Sequence, residues 1–96
     1  MRIHKYKIDK VNEWMSLPIS ASSIILCVQV QKQNIAHVGE IFAWVIESSN
    51  WTCEKEIIAV GTGIEFSEVG MKGDERYIDT VQHEGFVWHI FERINS

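Results

Sequence analysis

The sequence has few of the residues that stabilise very small proteins through disulfide bonds or bound metals. Its 96 residues include one proline and two cysteines, Cys27 and Cys53. The cysteines lie far apart and form no C-x-x-C pair, and the four histidines lack the spacing of a zinc site. We therefore expect both cysteines to be reduced, and we expect no bound metal or other cofactor.

Long apolar runs and clusters of positive charge are also scarce. The apolar segments fall far short of the roughly 20 residues that a membrane-spanning helix needs. The basic N-terminus is followed by no apolar segment and no small-residue cleavage site, so it does not resemble a signal peptide. The net charge is −4, which argues against duplex DNA or RNA as the main partner. The composition thus predicts a protein of the cytoplasm with no membrane and no duplex nucleic acid as partner.

Sustained helical periodicity is absent as well, whereas alternation of the β-strand type recurs. Residues 77–93 read as two strands joined by a turn at His83-Glu84-Gly85. The second arm is apolar on both faces, with Trp88 and Ile90 on one of them, so we predict a central strand. Further strands are predicted at 1–9, 12–17, 22–31, 35–47 and 51–60. The first is predicted to be an edge strand, the second to end before Pro18, and the fourth to have a bulge or close contact at Gly39. Residues 63–74 are predicted to form a loop with one helical turn.

Short strands separated by turn signals predict an all-β protein. We expect one small barrel or a two-sheet sandwich of about six to seven mostly antiparallel strands, in a single domain over residues 1–96. Several strands are apolar on both faces, and one core of this size is too small to cover them all. The sequence therefore predicts a homodimer or larger homo-oligomer, with Trp88 buried in the core or at the subunit interface.

The turn Gly61-Thr62-Gly63, called the glycine turn below, is the main candidate for a ligand-binding site. Glycines let backbone N–H groups approach an anion. Arg76 would bind a phosphate, and Tyr77 or Trp51 would stack on a base, if the strand before the turn pairs with the strand that begins at Tyr77. The alternative is that the glycines serve only a turn with positive φ.

His89 is the one candidate for a catalytic residue. A general base needs a nucleophile within reach and an orienting partner. Asp79 on the neighbouring arm is a conceivable partner, but no nucleophile motif accompanies the pair. We interpret His89 and Asp79 as an ordinary cross-strand hydrogen bond and predict that the protein is not an enzyme.

Four segments resemble a family of short uncharacterised proteins of tailed bacteriophages and prophages. They are ILCVQVQ (25–31), IIAVGTG (57–63), RYIDTVQ (76–82) and FVWHIFE (86–92). The family is similar in having a strand I-L-x-V-Q-x-Q, then a V-G-T-G turn, then a closing F-V-W-H-V-F-E in the same order. The resemblance implies a compact β-fold and a phage accessory protein, and it transfers no catalytic residue.

Two functions fit these observations. The first is a phage binding protein active in counter-defence in the host cytoplasm, which sequesters a small nucleotide-type signal or blocks a host defence protein. The alternative is a minor virion or morphogenesis protein. We favour the first, because the sequence has no long tail or coiled-coil segment for assembly.

Overall fold

A computed structural model of the protein describes residues 2–32, 39–51 and 53–94. Its strands form two antiparallel sheets, sheet 1 in the order β1-β4-β3 and sheet 2 in the order β2-β5-β7-β6. This confirms the predicted all-β class and gives, of the two predicted architectures, the two-sheet sandwich. The strands are β1 (Ile3–Ile8), β2 (Trp14–Ser20), β3 (Ile24–Gln31), β4 (Glu40–Ile46), β5 (Glu54–Gly61), β6 (Arg76–His83) and β7 (Phe86–Glu92), and a 3₁₀ turn spans Phe66–Val69.

The core lies between the two sheets, and every strand contributes to it. Alternate residues of a strand point to the same face, so Ile57 and Ala59 of β5 and Ile90 of β7 face inward and expose 1% of their surface or less. Ala43 and Val45 of β4 belong to the same cluster. Burying one isoleucine side chain contributes about 1.5–3 kcal/mol, so these inward positions hold the sheets together.

The hairpin of β6 and β7 positions most of the polar residues discussed below. Its turn uses Glu84 at φ 53° and Gly85 at φ 83°, the two positive values that a tight hairpin turn requires. β7 lies between β5 and β6, which confirms the predicted central strand. The condition that the strand before the glycine turn pairs with the strand at Tyr77 is therefore not met, because β7, apolar on both faces, lies between them. Trp88 is half-buried and packs against the main core.

Two strand boundaries differ from the predicted ones. β2 does not end before Pro18 but runs on to Ser20, and its pairing with β5 shifts between Leu17 and Ser20. A proline has no N–H to donate, and an edge strand with a shift in register tolerates this. The predicted strand at 35–47 is described from Glu40 onward, and its start lies outside the described residues.

β1 is an edge strand of sheet 1, as predicted. Gly39 precedes β4 with φ 91°, and a Cβ there would lie 3.1 Å from the Gln31 carbonyl oxygen, so the predicted close contact is confirmed. Over residues 2–32, 39–51 and 53–94 there is no helix long and apolar enough to span a bilayer.

The outer face of sheet 2 carries a second, smaller apolar cluster. Ile58 and Val60 of β5 point away from the main core, yet both are buried because Met71 packs against them. Met71 belongs to residues 62–75, a segment that forms a loop with a single 3₁₀ turn, as predicted. β5 is thus buried on both faces by its own chain.

Candidate functional site

The glycine turn lies at the end of β5 and uses its polar groups within the protein. The Gly61 N–H donates to Asn12 Oδ1 at 2.9 Å, and the Thr62 N–H donates to the Val87 carbonyl at 3.3 Å. An anion cradle needs such N–H groups to point toward the ligand. Two of the amides that the nucleotide hypothesis assigns to phosphate are therefore already occupied.

Both glycines of the turn have a structural role. A Cβ on Gly61 would lie 3.2 Å from Cζ3 of Trp88, so the Trp88 ring packs closely where only glycine leaves room. Gly63 has φ 92°, a backbone conformation that other residues rarely adopt. These contacts fit the alternative in which turn geometry and packing select the glycines.

A chain of hydrogen bonds crosses the outer face of sheet 2 and includes two of the predicted site residues. His89 lies between two hydroxyl groups, with Thr62 Oγ1 2.8 Å from Nε2 and Thr80 Oγ1 3.1 Å from Nδ1. The Tyr77 hydroxyl lies 2.7 Å from Thr80 Oγ1. Thr62 and Tyr77 are thus linked through His89 and Thr80.

The expected hydrogen bond between His89 and Asp79 does not form. Asp79 Oδ2 instead accepts the Val28 N–H at 3.0 Å, and Oδ1 accepts the Thr80 N–H at 2.9 Å. The register of β6 shifts between Tyr77 and Asp79, which directs the carboxylate toward β3 of sheet 1. Asp79 therefore joins the edges of the two sheets.

The surroundings of His89 suit hydrogen bonding better than acid–base catalysis. A neutral imidazole donates through one ring nitrogen and accepts through the other, and the hydroxyls of Thr62 and Thr80 can serve in either role. A catalytic triad orients its histidine with a carboxylate, whereas hydroxyl groups contact both ring nitrogens of His89. The arrangement is that of a polar surface network.

A buried cluster of charges lies toward the other end of β5, on the core side of sheet 2. Lys55 and Glu92 expose 3% and 6% of their surface, and Nζ lies 3.0 Å from Oε2. Arg76 Nε approaches the other carboxylate oxygen at 3.2 Å, while 66% of the Arg76 side chain remains exposed. Burying a charge costs free energy unless the charge is paired. A charged cluster on the otherwise apolar inner face is therefore unusual.

The charged cluster lines a cavity of about 260 Å³ at this end of the sandwich. Two cationic side chains, Lys55 and Arg76, meet one carboxylate, Glu92, which leaves a local excess of one positive charge in a chain of net charge −4. Ser22 and Ser23 of the turn between β2 and β3 add polar groups to the wall. The cavity thus has the charge and the polarity to accept a small anion.

Trp51 lies at the same end of the sandwich as the cavity. The carbonyl of its neighbour Asn50 accepts hydrogen bonds from the hydroxyls of Ser20 and Ser22, at 2.8 and 2.9 Å, and Ser22 lines the cavity. Trp51 exposes 57% of its surface. It is therefore an exposed aromatic residue whose neighbour in the chain contacts the cavity wall.

The structure divides the predicted site residues between two places. Arg76 lines the cavity, with Trp51 nearby, whereas the glycine turn lies elsewhere. Tyr77 borders the cavity, but its hydroxyl lies on the outer face and is linked to Thr62 by hydrogen bonds. Arg76 pairs with Glu92 and Gly61 with Trp88, four positions apart along β7, which corresponds to about 13 Å. Arg76 and the Thr62 hydroxyl also lie on opposite faces of sheet 2, so they do not form one site.

Lys55 and Glu92 are the residues that sequence reasoning missed. Their signal lies in the alternation of the strands, since Lys55 shares a face with Ile57 and Ala59, and Glu92 shares a face with Ile90. Lysine and glutamate are almost never fully buried unless they are paired. Two opposite charges on core-facing positions of neighbouring strands therefore indicate a buried ion pair.

Within the described part of the chain, no three residues of the types His, Cys, Asp and Glu are grouped so that they could hold a metal ion. The site chemistry of the described residues is accordingly that of Arg76, the Lys55–Glu92 pair and the hydroxyl groups.

Comparison with known proteins identifies a family and assigns no activity. No curated protein and no solved structure matches the chain. One family model, described as a domain of unknown function (DUF7352), matches residues 1–96, the whole length of the chain. The protein therefore belongs to the DUF7352 family.

Proposed function

We propose that this protein is a non-catalytic binding protein that captures a small phosphate-bearing ligand in the cavity at Arg76. The observation that carries the proposal is the charged cluster, in which Lys55 and Arg76 hold the Glu92 carboxylate at the wall of an open cavity. Binding sites are concave and contain a few fixed polar groups among apolar ones. The mixture of this cluster with Ile24, Ile25 and Ile78 in one wall has that character.

Arg76 is the group that would meet the ligand. Lys55 and Glu92 are buried and neutralise one another, so Arg76 carries the excess positive charge. Its guanidinium has five N–H donors in a planar fork that matches phosphate. The Nε contact with Glu92 therefore orients the group, and the two terminal nitrogens remain on the same fork to bind phosphate oxygens.

The size of the cavity limits how much of a ligand enters it. At about 260 Å³ it lies just below the usual range for small-molecule pockets, about 300–1,000 Å³. It suits a phosphate and part of a sugar, while a base would remain at the opening. We assign the base to Trp51, which is 57% exposed and follows Asn50, whose carbonyl accepts from Ser22 of the cavity wall, and stacking of a base on an aromatic side chain contributes about 1–3 kcal/mol.

This site fits the nucleotide-type signal that the sequence led us to expect. In the setting that the resemblance to phage proteins implies, the protein acts in the host cytoplasm and lowers the free concentration of a defence signal. Such a role needs binding and no chemistry, in keeping with the hydroxyl surroundings of His89. Blocking a host defence protein, or serving as a minor virion component, are the alternatives that the following experiment separates from capture.

Isothermal titration calorimetry with cyclic and linear nucleotides, and with inorganic phosphate, tests the proposal. We expect a nucleotide to bind the wild-type chain and Arg76→Ala to weaken binding about 10–100-fold, the usual loss for a hydrogen bond to a charged group. Lys10→Ala is the matched control, because it removes the same charge from an exposed side chain outside the cavity.

The outcomes separate the parts of the proposal. If no nucleotide and no phosphate binds, capture is wrong and a protein partner becomes the better hypothesis. If a nucleotide binds equally well to wild type and to Arg76→Ala, the ligand class is right and the cavity is the wrong site.

A further inference from the structure

We infer that the outer face of sheet 1 is the contact between two copies of this chain, related by a two-fold axis parallel to β4. This face contains the residues of β1, β4 and β3 that point away from the core. The register of the three strands defines this face, which shares Ile24 with the wall of the ligand cavity.

The apolar end of the face is a row of three isoleucines. The register of sheet 1 sets Ile3 beside Ile46 and Ile46 beside Ile24, so one isoleucine comes from each strand. Ile3 exposes 57% and Ile24 exposes 60% of its surface. Leu26, at the register shift of β3, adds another 48%-exposed apolar side chain. Neighbouring exposed apolar residues of this kind usually mark an interaction site.

The next rows of the face become progressively more polar. Lys5 is beside Trp44, and its Nζ lies 4.6 Å from the centre of the Phe42 ring and 2.7 Å from Gln31 Oε1. Lys7 is beside Phe42, and its Nζ forms an ion pair with Glu40 at 2.8 Å. The positive charges are thus confined to β1, while β3 presents uncharged glutamines.

With one direction of the two-fold axis, the apolar and charged residues of this face in one copy match those of the same face in the second copy. An axis parallel to β4 keeps each row at the same height, so the isoleucine row of one copy meets the isoleucine row of the other. The same rotation places β1 over β3 of the second copy, so Lys7 meets Gln29 and no lysine meets a lysine. An axis across the strands would instead place the isoleucines on Lys7 and Glu40.

Within the described residues, the two ends of the isoleucine row stay exposed, whereas Phe42, further along the face, is only 7% exposed and has Lys5 over its ring. On the outside of sheet 2, Ile58 and Val60 are buried by Met71 of the same chain, whereas on sheet 1 two of the three isoleucines remain more than half exposed. A second copy is the occupant that this surface fits, because an isologous contact needs the same patch on both partners.

The dimensions of the face predict a weak dimer. Three strands about 4.8 Å apart and seven residues at about 3.3 Å each span roughly 14 by 23 Å, an area on the order of 300 Å² before side-chain relief is counted. Stable interfaces bury about 800 Å² per partner. We therefore expect a dissociation constant in the range of about 10–500 µM rather than a permanent dimer.

Sedimentation velocity of the full chain between about 10 and about 500 µM tests the inference. We expect the apparent mass to rise from monomer toward dimer, and Ile3→Glu to abolish the rise by placing two carboxylates in the apolar row. Ile94→Glu is the matched control, since Ile94 is 61% exposed and lies outside sheet 1. A monomer at every concentration, or an equal effect of the two variants, would overturn the inference.

Discussion

The outer faces of the two sheets resemble one another in sequence and differ in their surroundings. β5 and β4 each carry apolar residues on both sides, in EIIAV and in IFAWV. On sheet 2, Ile58 and Val60 expose 2% of their surface or less beneath Met71. On sheet 1, the row that contains Ile46 ends in Ile3 and Ile24, both more than half exposed.

The difference arises in the connections that follow the strands. After β5 the chain runs for 14 residues, 62–75, before β6 begins, and Gly70, at φ 72°, lets this segment turn back after its 3₁₀ turn. Its apolar residues Ile64, Val69 and Met71 then pack on the outer face of sheet 2. A strand that is apolar on both faces must therefore be buried on both. Whether the same chain buries the second face depends on the segment that connects the strand to the next one.

The largest expected effect concerns the charged end of the inner face of sheet 2. Glu92→Gln removes the carboxylate that Lys55 and Arg76 share and leaves Lys55 charged and buried. We expect a loss of about 3–5 kcal/mol in the free energy of unfolding, as for other buried pairs broken on one side. Urea denaturation followed by tryptophan fluorescence measures this loss.

Glu56→Gln is the control on the outer face of the same sheet. Glu56 pairs with Arg93 at 2.9 Å, but both side chains are about one-third exposed, so we expect a loss of at most about 1 kcal/mol. The double variant Lys55→Met, Glu92→Leu should recover most of the stability, because an apolar pair of similar volume replaces the ion pair. Equal losses for Glu92→Gln and Glu56→Gln would show that the inner pair is not desolvated.

The second prediction compares the two outer faces directly. Ile58→Ala, under Met71, should cost about 2–5 kcal/mol because it leaves a cavity. Ile24→Ala, at a position that is 60% exposed, should cost within about 0.5 kcal/mol when the protein is dilute enough to be monomeric. Urea denaturation at a few micromolar gives both values. If Ile24→Ala were as costly as Ile58→Ala, the outer face of sheet 1 would be covered within a single chain.

Much of the fold follows from the period of the side chains. The alternation around Trp88 and Ile90 predicts the central position of β7, and the apolar inward residues predict two packed layers. Pairing between distant strands is harder to predict, because β7 and β6 both suit a place beside β5 and only the tertiary packing selects one. The predicted end of β2 before Pro18 is wrong for a related reason. A proline destabilises a strand only where its missing N–H would have donated a hydrogen bond to a neighbouring strand, and the sequence does not show this.

The site is less predictable than the fold. The glycine turn suggests an anion cradle, but a glycine is equally needed for positive φ at Gly63 and for contact with Trp88 at Gly61. The sequence does identify Arg76, but its ion pair with Glu92 forms only because Arg76 lies on the core-facing side of β6. A register shift of one residue, as between Tyr77 and Asp79, reverses the face of every side chain beyond it.

The smallest expected effect lies at the edge of sheet 1, at polar contacts that β1 makes on the core side of the sheet. Glu47 accepts a hydrogen bond from the Tyr6 hydroxyl and lies 3.0 Å from His4 Nδ1. The bond from Tyr6 lowers the pKa of the Glu47 carboxyl against the opposing effect of burial, and the charge of His4 lowers it further. Burial, together with the bond to Glu47, raises the pKa of Tyr6 to about 12.

The sign of the pH dependence follows from these directions. A carboxyl whose pKa is lower in the folded state stabilises the fold above its ordinary pKa and loses this effect as the pH falls through the lowered value. Glu47→Gln should therefore lower the melting temperature by a few degrees at most from about pH 5 upward, and the difference from wild type should vanish toward about pH 3. Glu68→Gln, on the exposed 3₁₀ turn, is the control and should follow wild type throughout. Differential scanning fluorimetry over this range provides the comparison, and a deficit of Glu47→Gln that stayed constant down to pH 3 would show that the contact with Tyr6 does not depend on the charge of Glu47.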